Sequence, residues 1–288
     1  YGWNRWILPI FIWEKYMYAT DFEYDGQYLS DYGFMICDPY DSSGVQRYAG
    51  GSKITFHKCK TNHGKKYNLG YAQYEECIHV TITIIKNPAV YGKDNMQITN
   101  DEYRDLIRWL NRREFLKFQL LGGDEYDGET CYYEASFNIY KLEIYGVLYG
   151  LELSVETNAP FGYGQEQICK WTVKDSGKPY ILANTSDELG LLYPSLSIEI
   201  LADGDFTLHN QLSDCTMKIE TCKKGETIFV DPENSRIEST MRKNICDAWN
   251  CEYFCIENDM NTRMNPITCS LPCKIELRYI PIIKDSIE

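Results

Sequence analysis

Long runs in which apolar and polar residues alternate constrain the fold of this chain more than any other feature. In residues 77–88, CIHVTITIIKNP, every second residue is apolar: Ile78, Val80, Ile82 and Ile84. A period of two places these side chains on one face of a β-strand, and the Asn-Pro pair that follows ends the run. The pattern predicts a half-buried strand.

Two longer runs of the same kind cover residues 131–145 and 147–157. In the first run the apolar phase slips between Ile139 and Leu142, which predicts a β-bulge. Further upstream, Asp25-Gly26 separates FEY from QYL, and this pair of turn residues predicts a tight hairpin. The N-terminal half is therefore expected to be mostly strand.

One clear helix is predicted over residues 100–113. Thr99 and Glu102 have the spacing of a capping box. The residues predicted to share its apolar face are Tyr103, Leu106, Ile107 and Leu110. The rest of the helix carries an arginine stripe, which is either a solvated face or a surface for an acidic partner.

The stretch NAPFGYGQ, residues 158–165, breaks the strand pattern with proline and glycine. We therefore place a domain boundary near residues 158–172 and divide the chain into residues 17–165 and 166–288. Short strands separated by turns predict an antiparallel sandwich in the second part. Residues 1–16 form an N-terminal extension whose role stays open, and their apolar run is too short for a membrane helix.

Composition narrows the function classes. The net charge is −13 at pH 7, which argues against stable binding of nucleic acid, because affinity for phosphates depends on Lys and Arg. The chain contains 24 tyrosines, a number that suits half-buried strands and wet protein interfaces alike. No phosphate-binding, dinucleotide, hydrolase or metalloprotease motif occurs, so we expect no enzyme and no cofactor.

Metal sites have weak support in the sequence. His57, Cys59 and His63 could surround zinc if the chain turned back on itself, but no fourth ligand is evident. Four carboxylates cluster in one turn, where the spacing fits a hairpin loop rather than a calcium loop: Asp124, Glu125, Asp127 and Glu129. We therefore expect no metal site.

The chain contains twelve cysteines, spread along its length without a CxxC pair. Free thiols packed as small apolar groups, in a protein made in a reducing cytoplasm, explain this distribution. The alternative is a disulfide or metal cluster built from the cysteines near the C-terminus, which are Cys246, Cys251, Cys255, Cys269 and Cys273.

Four stretches resemble, in order and spacing, the distal tail protein family of long-tailed phages that infect Gram-positive bacteria. They are MYATDFEYDGQYLSDYGFMIC, KTNHGKKYNLGYAQYEECI, ITNDEYRDLIRWLNRREFLKFQL and YYEASFNIYKLEIYGVLYGLELSVETNAPFGYGQE. The resemblance is strong over residues 17–170 and continues more weakly through ADGDFTL and SLPCKIELRYIPIIKD. Residues 1–16 fall outside it.

This resemblance implies a mainly β protein with two domains. The N-terminal one is a β-sandwich or split barrel with one α-helix that forms a hexameric ring. The C-terminal one is a galectin-like, carbohydrate-module-like β-sandwich. It also implies a structural role at the virion tail tip, where the ring joins the tail tube protein to the tail-associated lysin or hub protein. Receptor-binding proteins and the tape-measure protein are further implied partners.

The sequence offers candidates for these contacts. Residues on the predicted hairpins and helix are candidates for subunit contact: Tyr24, Tyr28, Arg104, Arg108, Arg112, Tyr133 and Tyr149. The alternative function is a surface carbohydrate-binding or host-adhesion module. For that function Trp249 and Tyr253 are the candidates for stacking on a glycan, and they are equally candidates for the core.

Overall fold

A computed structural model describes residues 19–37, 54–58, 68–74, 76–122 and 131–284. The protein is mainly β, with 53% strand and 10% helix, which confirms the predicted fold class. Two separate clusters of buried apolar side chains form its cores. One lies between Phe22 and Val155 in the sequence and the other between Val173 and Tyr279.

The first core is covered by a seven-stranded sheet with the strand order β2-β1-β7-β8-β9-β6-β3. A separate pair, β4 and β5, forms a two-stranded sheet. The strands of this part are β1 (Ala19–Tyr24), β2 (Gln27–Tyr28), β3 (Phe34–Ile36), β4 (Ile54–Lys58), β5 (Asn68–Tyr74), β6 (His79–Lys86), β7 (Leu116–Gly122), β8 (Tyr133–Ile144) and β9 (Val147–Thr157).

The hairpin between β1 and β2 has the predicted turn. Asp25 and Gly26 have φ angles of 52° and 72°, the left-handed values that a two-residue turn of this type needs. A short 3-10 helix (Leu29–Tyr32) follows and ends at Gly33, with a φ of 78°. A Cβ atom at Gly33 would lie 2.6 Å from the ring of Tyr91, so this close approach requires glycine.

Strands β8 and β9 form the longest hairpin, and the predicted bulge is present. The pairing shifts between Leu142, opposite Gly150, and Glu143, opposite Leu148. The extra residue is therefore Tyr149 on β9, on the strand opposite the phase slip seen in the sequence. The turn at the tip is formed by Tyr145-Gly146.

Two α-helices occur in the described ranges, one more than predicted. The additional helix, α1 (Pro88–Tyr91), begins where the Asn87 side chain accepts a hydrogen bond from the amide of Ala89. The predicted helix, α2 (Asn100–Leu110), has the capping box between Thr99 and Glu102 but ends three residues early. Arg112 and Arg113 therefore lie beyond its end.

The inward face of α2 is formed by Leu106, Trp109 and Leu110, whereas the predicted Ile107 is only half-buried. A buried lysine, Lys86 at the end of β6, forms an ion pair of 2.8 Å with Glu102. Burial opposes ionisation of Glu102, but hydrogen bonds from Lys86 and Thr99 lower its pKa. The capping carboxylate thus fastens the start of α2 to the sheet.

The second core lies between two antiparallel sheets, as the short strands predicted. Their strand orders are β11-β21-β14-β17-β18 and β12-β20-β15-β16. The strands of this part are β10 (Gly162–Tyr163), β11 (Gln167–Val173), β12 (Tyr180–Ala183), β13 (Gly190–Leu192), β14 (Ser195–Ile200), β15 (Gly204–Asn210), β16 (Cys215–Cys222), β17 (Thr227–Asp231), β18 (Arg236–Ser239), β19 (Ile256–Asn258), β20 (Met264–Cys269), β21 (Cys273–Tyr279) and β22 (Ile282–Ile283).

A two-stranded ladder lies at the junction of the two parts. Strand β10, just after the predicted break, pairs antiparallel with β22 near the end of the described chain. A Cβ atom at Gly162 would overlap the thiol of Cys131, so this position requires glycine. Among the residues that the structure describes, no helix is both long and apolar enough to cross a lipid bilayer.

Candidate functional site

The predicted contact tyrosines divide into two groups. Tyr24 and Tyr133 are 0% and 4% exposed and belong to the N-terminal core, so their side chains are not available to a neighbouring subunit. The prediction for these two residues is corrected, because both point to the buried face of the sheet. Tyr28 and Tyr149 are exposed, with 42% and 36% of their surface accessible.

Tyr24 shows why a sequence pattern cannot separate the two groups. Its ring packs edge-on against Phe137 at 4.7 Å, and its hydroxyl donates to the carbonyl of Ala135. Burial raises the pKa of Tyr24 to about 12. Its hydroxyl is thus part of the core, where a buried tyrosine usually finds one hydrogen-bond partner.

The three arginine candidates are not equivalent. Arg104 and Arg108 lie on the exposed side of α2, and Arg108 forms an ion pair of 2.8 Å with Asp105 one turn away. Arg112 lies after the helix, where its Nε donates to the carbonyl of Trp109 at 3.2 Å. This bond satisfies one of the open carbonyls at the helix end.

The β8–β9 hairpin exposes large apolar side chains at its tip and along β8. Tyr140 and Ile144 are 56% and 59% exposed, and Tyr145 is fully exposed. We call these three residues the hairpin-tip surface. The glycine of Tyr145-Gly146, between the two alternating runs, is the sequence signal for this tip. The pair forms a left-handed turn with φ angles of 51° and 80°.

The two glycan candidates lie at the edge of the second core. Trp249 and Tyr253 are half-buried and pack edge-on at 4.9 Å. The Nε1 of Trp249 donates to the carbonyl of Glu252 at 3.1 Å. Their rings pack on each other and on the core. A role in the core is the alternative that the sequence leaves open beside stacking on a glycan.

The structure places every cysteine of the C-terminal part. Its eight cysteines are free thiols, and four of them, Cys222, Cys255, Cys269 and Cys273, are buried. Within the described part of the chain, no group of three or more His, Cys, Asp or Glu residues is placed to hold a metal ion. Cys59, His63 and the carboxylate turn at residues 124–129 lie outside the described residues, as does the side chain of His57.

The β4–β5 pair contacts the C-terminal part through a polar cluster around Glu188. The Tyr74 hydroxyl donates to Glu188 at 2.7 Å, and the ammonium of Lys284 lies 2.8 Å from the same carboxylate. Burial opposes ionisation of Glu188, but the bonds from Lys284 and Tyr74 lower its pKa. This cluster and a backbone bridge between Tyr132 and Tyr163 connect the two parts of the chain.

Taken together, the chain folds as a two-part β scaffold with exposed hairpins. Comparison with known proteins gives its family. A model described as a phage tail protein N-terminal domain matches residues 17–159, and one described as a phage tail C-terminal domain matches residues 161–279. The chain belongs to this family of phage tail proteins.

A solved structure has the same fold. It is the crystal structure of the SPP1 Dit protein, described as a paradigm of the hub adsorption apparatus in phages that infect Gram-positive bacteria. The TM-score is 0.62 at 14% sequence identity, and the match covers 91% of this chain and 99% of that one. No protein in the curated set matched the chain.

Proposed function

We propose that this protein is the distal tail component that forms a hexameric ring at the tail tip of a virion. The observation that carries the proposal is the pairing of two phage tail domain matches with the fold of a hub adsorption protein. The role proposed is structural and not enzymatic: the ring joins the tail tube protein on one side to the tail-associated lysin or hub protein on the other.

The N-terminal surface supports a ring contact. The hairpin-tip surface exposes Tyr140 and Ile144 on β8 and Tyr145 in the turn of a long hairpin. Such a projection suits contact with an adjacent copy, and a heterologous contact closes into a ring when its rotation divides a full turn. We propose that the hairpin-tip surface, together with Tyr28 and Tyr149, packs against the next subunit.

Charged residues on α2 form the second part of the proposed contact between adjacent subunits. Arg104 and Arg108 project from α2 in a protein whose net charge is −13. A positive stripe beside an otherwise acidic neighbour favours one orientation of the two copies. We propose that the α2 arginines and Arg112 meet acidic residues of the adjacent subunit, and that the acidic remainder discourages passing DNA from sticking.

The C-terminal sandwich is proposed to project from the ring as a galectin-like domain. In that position it could hold receptor-binding proteins, while the tape-measure protein and then DNA pass through the lumen. The two cores are separate, which is the arrangement that a projecting domain needs.

Placing charge in the hairpin-tip surface is expected to abolish the ring. We expect the purified wild-type chain to show six-fold rings in electron micrographs and a native mass six times 33.6 kDa. The double substitution Ile144→Asp and Tyr145→Asp should leave monomers, because two carboxylates per contact would be desolvated and repel each other.

The matched control is Met260→Asp. Met260 is also exposed, at 84%, but it lies in the C-terminal part, so its rings should persist. The proposal is contradicted if the wild-type chain stays monomeric at high concentration without rings. The hairpin-tip contact alone is contradicted if the double variant still assembles.

A further inference from the structure

The outward face of the five-stranded sheet in the C-terminal part contains a shallow depression of about 460 Å³. Its lining comes from strands β14, β17, β18 and β21. It lies on the side of the sheet away from the core. Trp249 and Tyr253, the aromatic pair that the sequence suggested, do not line it.

The strand β14 explains why the surface is concave at this place. Its residues alternate, with Leu196 and Ile198 pointing into the core and Ser195 and Ser197 pointing outward. Two small side chains in the middle of the sheet leave space above them. Larger side chains on the neighbouring strands form the walls.

The register of the sheet places an aromatic ring beside this space. Ser197 is paired with Glu276 on one side and with Phe229 on the other, and Phe229 is paired in turn with Glu238. Phe229 is 46% exposed although it lies on an interior strand. A single exposed apolar residue is common, but one inside a concavity beside convergent polar groups is typical of a binding site.

The polar groups at the rim are held in defined positions. Nη2 of Arg236 lies 2.6 Å from Glu238, and Nε of Arg278 donates to Glu276 at 2.7 Å. Both ion pairs are partly exposed, so each guanidinium keeps N–H groups and each carboxylate keeps lone pairs that face solvent. The rim therefore both donates and accepts hydrogen bonds.

The charges at the rim indicate the kind of ligand. The lining carries two arginines and three carboxylates, a net charge of −1 that disfavours an anion. Two further charged groups pair with this rim, Lys170 with Glu276 and Glu166 with Arg278, and they leave that net charge unchanged. A neutral ligand with many hydroxyl groups can use donors and acceptors without breaking the ion pairs. An apolar face on the same ligand would pack against the ring of Phe229.

We propose that this depression binds a neutral sugar unit of a surface glycan. The pyranose ring stacks on Phe229, and its hydroxyls exchange hydrogen bonds with Arg236, Glu238 and Arg278. Ser197 sets the depth of the site. The proposal concerns a second activity of the chain and does not depend on the hexameric ring.

Titration of the full chain with neutral glycans tests the site. The probe is an array of neutral hexose and N-acetylhexosamine oligosaccharides, followed by calorimetry on each binder. We expect saturable binding that Phe229→Ala weakens at least tenfold. The control is Phe115→Ala, because Phe115 has the same exposed fraction, 46%, but lies in the N-terminal part.

A second variant, Ser197→Tyr, fills the depression and keeps Phe229. We expect it to abolish binding while its melting temperature stays near that of the wild type. The inference is overturned if no neutral glycan binds the wild type at millimolar concentration, or if binding survives both substitutions. Because rings are scored by imaging, either failure is distinguishable from failure of the proposed ring.

Discussion

Replacing Trp109 with alanine is expected to lower the free energy of unfolding of the N-terminal part by about 3–5 kcal/mol, the usual loss for a buried tryptophan. Trp109 is 2% exposed, and its ring stacks between Phe22 at 5.6 Å and Tyr32 at 4.5 Å. Its removal would leave a cavity where α2 meets the first hairpin. Thermal and denaturant unfolding measure the effect.

The control for this prediction is Trp109→Phe. The Nε1 of Trp109 donates to the carbonyl of Tyr24 at 3.0 Å, and phenylalanine keeps an aromatic ring but loses this donor. Trp109→Phe should lower the free energy of unfolding by about 1–3 kcal/mol, the loss that follows when a buried acceptor is left unpaired. Equal losses in the two variants would show that stacking contributes little.

Arg242→Met is expected to have an effect of similar size on the C-terminal part. The Glu226 carboxylate is 0% exposed and accepts bonds from Arg242 Nε at 2.7 Å and Nη2 at 3.0 Å. Without the guanidinium, a buried charge would lose its main partner, a change that lowers the free energy of unfolding by about 3–5 kcal/mol. Lys218→Met, which removes an exposed ion pair with Glu220, should cause no measurable change.

The pH dependence of the Arg242→Met effect gives a second check. Burial opposes ionisation of Glu226, but hydrogen bonds from Arg242 and Ser239 lower its pKa below the ordinary value of 4.5. The stability from this carboxylate is therefore present above pH 4.5 and is lost as the pH falls through the lowered pKa. The difference between variant and wild type should be largest near neutral pH and should narrow in acid. A difference that stays constant with pH would contradict the ion-pair explanation.

Comparing the two variants also tests the division of the chain. Trp109 and Arg242 act on separate cores, so their substitutions should shift different unfolding transitions. If both substitutions shift one shared transition by the same amount, the two parts unfold together and the predicted boundary does not separate independent units.

The sequence predicts the turns and helix caps, because these depend only on residues that are neighbours in the chain. The turn at Asp25-Gly26 and the capping box of Thr99 and Glu102 involve neighbouring residues, and both are present as predicted. The sequence predicts an end of α2 that lies three residues too late, because arginines continue the helical composition past Leu110. The predicted apolar face does not include Trp109, which becomes the centre of an aromatic stack once α2 packs on β1.

Features that depend on register between distant strands could not be predicted. Tyr24 and Tyr28 are both strand tyrosines four residues apart, yet one is buried and the other exposed. The bulge was visible as a phase slip near Leu142, but only the pairing shows that Tyr149 on the opposite strand is the extra residue. Ser197, Phe229 and Glu238 converge for the same reason, since their pairing joins three separate strands.

The β10–β22 ladder has a consequence for how the C-terminal sandwich of such a protein can be exchanged for another domain. The chain passes into the C-terminal part at Gly162–Tyr163 and returns to the same place at Ile282–Ile283. The first and last described strands of this part are therefore neighbours at its junction with the N-terminal part. A different sandwich flanked by two strands able to form this ladder could replace it without changing the seven-stranded sheet, whereas the β4–β5 pair would lose Glu188 as the partner of Tyr74.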